Sequence, residues 1–271
     1  PDYKFKAQLK WKRINPNDAS EIAELKLIGD GDPSWGFEEL KEDEWTRVTA
    51  LAELLYQKGV RVVNGDVALQ EENDKWKELT YPQGWTQTDS MSCYGAMPSA
   101  FNVQRNCASY VVTGLNSGYF LEYGVDTKVR FEVKSGTANR IWIESDQVFD
   151  PKTVMTAGYV VKGELASKRV LKGFVLPIMN AKGWIKNLFK KALEKKGIKF
   201  VALSFSLAFS PASPNDTIED TVVLESPPLY KILQPMLKNS SNLIAQALFN
   251  KMLINEMQLQ DFDPIVIKDG A

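Results

Sequence analysis

Apolar and polar residues alternate from Tyr3 to Lys12 (YKFKAQLKWK), the period of a half-buried strand, and less cleanly from Ile22 to Ile28. Gly29-Asp30-Gly31-Asp32-Pro33 then predicts a tight turn. Its D-G-D spacing fits the start of a calcium loop, but Trp35 stands where that loop needs glycine, which excludes it. From Glu44 to Lys58 the period becomes helical. Trp45, Val48, Leu51, Ala52 and Leu55 fall on one face, and Gly59 ends the run. Val60 to Leu69 (VRVVNGDVAL) reads as a hairpin turned at Asn64-Gly65, the dipeptide favoured in type I′ turns.

Trp76 to Asn106 is irregular and rich in aromatics, with Trp76, Tyr81, Trp85, Tyr94 and Phe101, and it contains Pro82 and Pro98. Long ordered loops of this kind carry function or pack their aromatics beneath themselves. From Ala108 to about Leu176 short strands follow, such as Ser109–Thr113, Lys128–Val133 and Arg140–Glu144, which predicts a small all-β unit. Ala181 to Lys196 is an amphipathic helix with Trp184, Leu188, Phe189, Ala192 and Leu193 inside, ended by Gly197. Its lysines suit a membrane surface or a solvated face; acidic residues elsewhere balance them, which favours the second. Lys199 to Phe209 alternates strictly, and Pro211 to Asp216 reads as a linker.

The last patterned stretch, Leu224 to Leu253, predicts two helices. Ser226 would cap the first, with Pro227 at the first helical position, and Leu229, Ile232, Leu233, Met236 and Leu237 share a face. The pattern breaks at Lys238-Asn239-Ser240-Ser241-Asn242 and restarts with Leu243, Ile244, Ala247, Leu248 and Met252. This polar corner is either a helix-capping device or part of an active site.

Composition narrows the chemistry. The chain has 271 residues, 33 basic against 34 acidic, with a net charge of -1, so it carries no electrostatic footprint for nucleic acid. No apolar run is long enough for a transmembrane segment. It contains no histidine, which removes Ser-His-Asp and Cys-His catalysis and the commonest zinc ligand together. Neither a metal nor a cofactor is expected. Cys93 and Cys107, 14 residues apart, are either two lone thiols or a pair closing a small loop in an oxidising compartment. Pro1-Asp2-Tyr3 begins inside what reads as a folded segment, as a fragment of a longer chain would.

Several landmarks, in order, resemble the class C penicillin-binding proteins, the D-alanyl-D-alanine carboxypeptidase/endopeptidases of the bacterial cell envelope. Pro1 to Phe5 is similar to the strand after the family's nucleophile helix, and Leu25 to Pro33 (LKLIGDGDP) to its glycine-rich GDP turn. Gly84-Trp85, Asp89, Cys93-Tyr94 and Ser99-Ala100 match its W…D…Y-x-A-x-x-S-A region. Gly197-Ile198, Ser226-Pro227-Pro228-Leu229 and Ser240-Ser241-Asn242 match its "GI", SPPL and S-x-N elements. The family also uses S-x-x-K and K-T-G, and this sequence contains neither. Lys134-Ser135-Gly136-Thr137 imitates K-T-G but precedes S-x-N and lies inside the all-β unit, so it reads as a solvent-exposed turn.

The resemblance implies an α+β multidomain fold: part of a penicillin-binding, β-lactamase-like catalytic domain plus an α/β domain carrying an inserted small all-β domain. The parts are residues 1–8 with 222–271, 9–107 with 177–221, and 108–176. It implies an exported enzyme of the periplasm or cell envelope that acts on peptidoglycan stem peptides through a serine acyl-enzyme, binds β-lactam antibiotics and admits a homodimer. Nucleophilic serine and basic lysine would lie outside this sequence. By resemblance, Ser240 relays a proton between that lysine and the leaving amine, and Asn242 hydrogen-bonds the lysine and the substrate amide. Asp89 and Tyr94 would border the pocket for a diamino acid; otherwise Asp89 caps a turn and Tyr94 packs. An exported family also implies a Cys93–Cys107 disulfide. The competing readings are a non-catalytic relative that binds peptidoglycan or protein, and an unrelated α+β binding module sharing only turns and caps.

Overall fold

The computed structural model of the chain describes residues 2–77, 85, 89, 91–113, 129–145, 158–166, 170–178, 180–201 and 218–259. Among the described residues the main sheet has six strands. β1 (Lys6–Asn15) lies antiparallel between β2 (Asp18–Gly29) and the edge strand β11 (Glu219–Glu225). On the other side of β2, β3 (Val62–Asn64) and β4 (Val67–Glu71) pair in parallel, and β10 (Lys199–Val201) pairs in parallel with β3. The alternation of β1 sends Ala7, Leu9 and Trp11 inward, while Gln8, Lys10 and Lys12 face outward. β2 alternates imperfectly because it carries a bulge: Lys12 pairs with Glu24 but Arg13 with Ile22, so Ala23 has no partner and the inward set becomes Ile22, Leu25 and Leu27.

The expected hairpin at Asn64-Gly65 does not form. β3 and β4 do not pair with each other; they run one after the other along the same edge of β2. Glu21 pairs with Val62 and Leu25 with Val67, so one extra residue is absorbed between them. Gly65 takes it up with φ at 112°, and its N–H donates to the Val201 carbonyl at 2.9 Å. A glycine in the left-handed region serves a bulge as well as a tight turn, and only a neighbouring strand decides between them.

Two helices cover the inward face of this sheet. In α1 (Thr46–Gln57), Val48, Leu51, Ala52 and Leu55 are buried; in α2 (Ala181–Lys195), Trp184, Ile185, Leu188, Phe189, Ala192 and Leu193 are buried. They join the strand residues in one apolar cluster. Arg47 is buried on α1 as well, held by Glu42 at 2.7 Å and by the Glu225 carbonyl at 2.9 Å. The α2 lysines are engaged rather than merely solvated: Lys186 and Lys190 bracket Asp66 at 2.7 and 2.9 Å, and Lys182 reaches Glu71 at 2.6 Å.

The small β region follows the sequence. β5 (Cys107–Thr113) and β9 (Val170–Pro177) form an antiparallel ribbon leading in and out of it. Between them β6 (Val129–Gly136), β8 (Tyr159–Ala166) and β7 (Arg140–Ser145) make a three-stranded sheet in that order. The K-T-G imitation is no turn: Lys134, Ser135 and Gly136 end β6, paired with Glu164, Leu165 and Ala166 of β8, because the strand runs on to Gly136. Only exposed Thr137 follows it, its N–H donating to Glu164 at 2.6 Å. Residues 202–217, which hold most of the strictly alternating strand and the linker, lie outside the described residues.

The C-terminal helices are α3 (Leu229–Asn239) and α4 (Asn242–Leu259). Ser226 does not cap α3, whose preceding residue is Pro228. The Ser226 hydroxyl instead accepts the Phe5 N–H at 3.0 Å and donates to the Pro227 carbonyl at 2.7 Å, tying the start of the chain to the helix pair. Two successive prolines delay the helix beyond the reach of that side chain. Phe5, Phe37, Ile232 and Ile244 form a second buried cluster beneath.

Candidate active site at the polar corner

Helix α3 ends at Ser240, whose backbone stands in the left-handed region (φ 51°, ψ 47°) with its N–H on the Met236 carbonyl. The capping expectation assumed Ser240 at a helix start; the backbone makes it the closing residue of the preceding helix. Glycine usually occupies such a position, because a Cβ crowds the backbone there. The Ser240 side chain is exposed and bonds to no described residue. Ser241 turns the corner, accepting the Ala245 N–H at 3.2 Å, and Asn242 opens α4.

Asn242 does not bond back to its own helix. Its Nδ2 donates to the Tyr94 carbonyl at 3.3 Å, so the corner leans on the irregular segment 89–107. Tyr94 is 63% exposed and stacks on Trp85, ring centroids 5.8 Å apart. Asp89 begins the same turn: its carbonyl accepts both the N–H and the hydroxyl of Ser92 at 3.0 Å. Cys93 and Cys107 are bonded to each other, with Cα atoms 5.9 Å apart. Cys107, Ala96 and Leu243 pack together as a small buried cluster, directly after Asn242 in sequence. Ser240, Asn242, Tyr94 and the Cys93–Cys107 pair therefore meet at one corner, with Asp89 at the base of the Tyr94 turn.

What holds the segment was not apparent from the sequence. Asn102 and Asn106, both fully buried, form its internal frame. Asn102 Nδ2 donates to the Gly31 and Ser99 carbonyls at 3.1 and 2.9 Å; Asn106 Nδ2 donates to Asn102 Oδ1 at 2.9 Å and to the Met97 carbonyl at 2.7 Å. Gln104, Arg105 and Asn106 all take positive φ, a strained one-turn reversal that delivers Cys107 to β5. The glycine-rich turn docks beneath: Gly31 N–H donates to the Ala100 carbonyl at 3.0 Å, and a Cβ on Gly29 would lie 2.4 Å from that same oxygen. Buried asparagines with several backbone partners are the signal to look for, but nothing in an isolated sequence separates them from surface asparagines.

The turn's carboxylates are unusual. Burial pushes Asp30 up to about 6, against the Lys6 N–H it accepts at 2.5 Å; burial raises Asp32 too, although Ser34 N–H and the Trp35 indole N–H bond to it. Asp30 lines a cavity of about 700 Å³ with Tyr3, Lys6, Glu72, Lys251 and Asn255. Lys251 is nine residues along α4 from Asn242, on the order of 14 Å. None of Ser240, Asn242, Asp89 or Tyr94 lines this cavity, so it and the serine–asparagine corner are separate places. Among the described residues no cluster of His, Cys, Asp or Glu is arranged to hold a metal ion.

A model of the D-Ala-D-Ala carboxypeptidase 3 (S13) family matches residues 1–263. D-alanyl-D-alanine carboxypeptidase DacB of Haemophilus influenzae is 25% identical over 211 residues, 76% of this chain and 42% of that protein. The crystal structure of penicillin binding protein 4 (dacB) from H. influenzae superposes with a TM-score of 0.65 at 19% identity, covering 95% of this chain and 54% of that one. A second crystal structure of it, complexed with a novel β-lactam, gives 0.56 over 92% and 50%. The chain thus spans about half the length of the relatives it matches. With the family model covering nearly every residue and the α+β fold shared throughout, the chain belongs to the D-Ala-D-Ala carboxypeptidase 3 (S13) family.

Proposed function

We propose that this chain forms part of an exported, serine-type D-alanyl-D-alanine carboxypeptidase/endopeptidase of peptidoglycan, with Ser240-Ser241-Asn242 as its S-x-N element. The observation that carries this reading is the backbone of Ser240. A serine at a left-handed helix end, where glycine is less strained, keeps its hydroxyl exposed and without a partner among the described residues. Two residues on, Asn242 is anchored through Nδ2 to the Tyr94 carbonyl, which leaves its Oδ1 as an acceptor for a lysine ammonium.

In the proposed reaction a serine from an S-x-x-K element attacks the D-Ala-D-Ala carbonyl, and its lysine takes the proton. Ser240 passes that proton to the leaving amine, and Asn242 holds the lysine and the substrate amide. Asp89 supplies a carboxylate for the ammonium of a diamino acid, whose methylenes lie along the Tyr94–Trp85 stack. β-Lactams would acylate the same serine. The division proposed puts residues 1–8 and 222–271 in the catalytic part, 9–107 and 177–221 in the α/β part and 108–176 nested; two of its joins fall inside the paired strands β1 and β11, so the first two parts share a sheet.

Fluorescent penicillin tests the assignment. This chain alone, lacking S-x-x-K and K-T-G, should not label, while a longer form of the protein that contains them should. In that longer form Ser240→Ala should slow labelling by about 10²–10⁴, the range of general acid–base effects, with little change in Tm. Ser240→Gly should lose labelling equally while melting no earlier, because glycine is relaxed in this conformation. Full-rate labelling by both variants would make Ser240 a helix end and nothing more.

A further inference from the structure

The open face of the β6–β8–β7 sheet carries a groove of about 480 Å³ with an exposed tryptophan in it, and neither belongs to the corner described above. Register places two rows across this face. Glu132, Lys162 and Trp142 stand side by side on the three strands, and Lys134, Glu164 and Arg140 form the next row. Trp142 is 46% exposed, yet its ring is fixed: Nε1–H donates to Glu144 at 2.8 Å, and Lys162 binds the other Glu144 oxygen at 2.6 Å.

Most charges on the face are already engaged. Lys162 is held by Glu144 and lies 3.9 Å from Glu132, which Arg130 also approaches at 3.5 Å. Glu164 folds onto the turn, accepting the Thr137 and Ala138 N–H groups. Lys134 and Arg140 are left, their side chains paired with no described residue. They flank Glu164 from neighbouring strands, about 10 Å apart, one row from the indole at about 7 Å.

We propose that this face binds a carboxylate-bearing glycan: a sugar ring lies on the Trp142 indole and its carboxylate pairs with Lys134 and Arg140. The C–H bonds of a sugar ring carry partial positive charge and suit the electron-rich face of a fixed indole. Two unpaired cations beside it select an anionic group, and guanidinium binds carboxylate in bidentate fashion. The three glutamates on the same face disfavour a polyphosphate chain. Given the peptidoglycan reading above, on which the ligand's identity rests, the glycan is a peptide-free stretch of N-acetylglucosamine and N-acetylmuramic acid, whose lactyl group, no longer amide-linked to a stem peptide, supplies the carboxylate.

Isothermal titration of this chain with the disaccharide N-acetylglucosaminyl-N-acetylmuramic acid tests the proposal, with neutral chitobiose and an oligodeoxythymidine as comparison probes. The acidic disaccharide should bind saturably and at least about tenfold more tightly than chitobiose, the worth of one charge-assisted contact. Lys134→Ala/Arg140→Ala should bring it down to the chitobiose level. Trp142→Ala should abolish binding of both sugars, and Trp142→Phe, which preserves a packed ring should the alanine variant unfold, should retain most of it. Equal affinity for the two sugars, unchanged binding by the charge variants, absence of saturable heat, or tighter binding of the oligonucleotide would each overturn the proposal. Penicillin labelling of the longer protein separates the two readings: Trp142→Ala should label at the normal rate, and a protein that binds the disaccharide but never labels would overturn the catalytic reading alone.

Discussion

Asp30 shows how a single position can set the pH response of the whole turn. Buried between β1 and the glycine-rich turn, its carboxyl titrates near 6 rather than at its ordinary value of 3.8. The folded state therefore binds this proton more tightly than the unfolded chain does, so the contribution to stability is present at low pH and lost as pH rises from about 4 through 6. A shift of this size corresponds to a loss on the order of 2–3 kcal/mol. Asp30→Asn cannot titrate. Chemical denaturation at pH 4 and pH 7 should show the gap between the two proteins moving by that amount in favour of the variant at pH 7. A constant gap would mean that Asp30 ionises as an ordinary surface carboxylate. At Ser240 the sequence marked the break between two helices but not the residue's conformation: serine is common at helix starts, and only the direction of the chain beyond Ser241 makes this one a helix end.

Among the elements, the irregular segment from Ser92 to Asn106 depends most on cross-links. It has two short 3-10 turns, Cys93–Gly95 and Gln104–Asn106, and its order comes from the buried asparagine pair and from the Cys93–Cys107 bond. Closing a loop of this length is worth about 3 kcal/mol in the chain-entropy view. The denatured, unreduced protein should contain no titratable thiol, and reduction should cost roughly 2–4 kcal/mol in stability. Two titratable thiols before reduction would refute the pairing. Helices were legible because a helical period needs only its own residues: the buried faces of α1 and α2 contain those the spacing names, with Arg47, Ala181 and Ile185 as additions and Trp45 half-buried just before α1. The Asn64-Gly65 hairpin failed for the opposite reason, since a strand's partner is a long-range fact.

For the molecule as a whole, the C-terminal helices leave large apolar side chains in water. Leu243, Ile244, Ala247 and Ile254 are buried on α4, yet Phe249 and Met252 on the same helix are 54% and 62% exposed, and Leu237 on α3 is 74% exposed. A helix with apolar residues on opposing sides belongs inside a structure rather than on its surface. This chain in isolation should therefore bind the dye ANS and self-associate as its concentration rises. Phe249→Ser combined with Met252→Ser should reduce both effects without lowering Tm, because neither side chain is packed. Absence of dye binding by the unaltered chain would show this surface covered in solution.

By itself the sequence determined what depends on local order and composition: the amphipathic helices, the small β region, the exclusion of histidine chemistry and, through motifs in series, the family. These survive because period, caps and residue type act over a few neighbouring positions. Only the tertiary structure decided that β3 and β4 follow one another along β2, that Ser226 ties Phe5 rather than capping a helix, and that Asn102 and Asn106 frame the loop beside the corner. It alone brought Tyr94 to Asn242, 148 residues apart, and left Trp142 on an open sheet face. Each of these turns on which groups meet across the fold, where burial leaves a polar atom only the partners that distant segments bring to it.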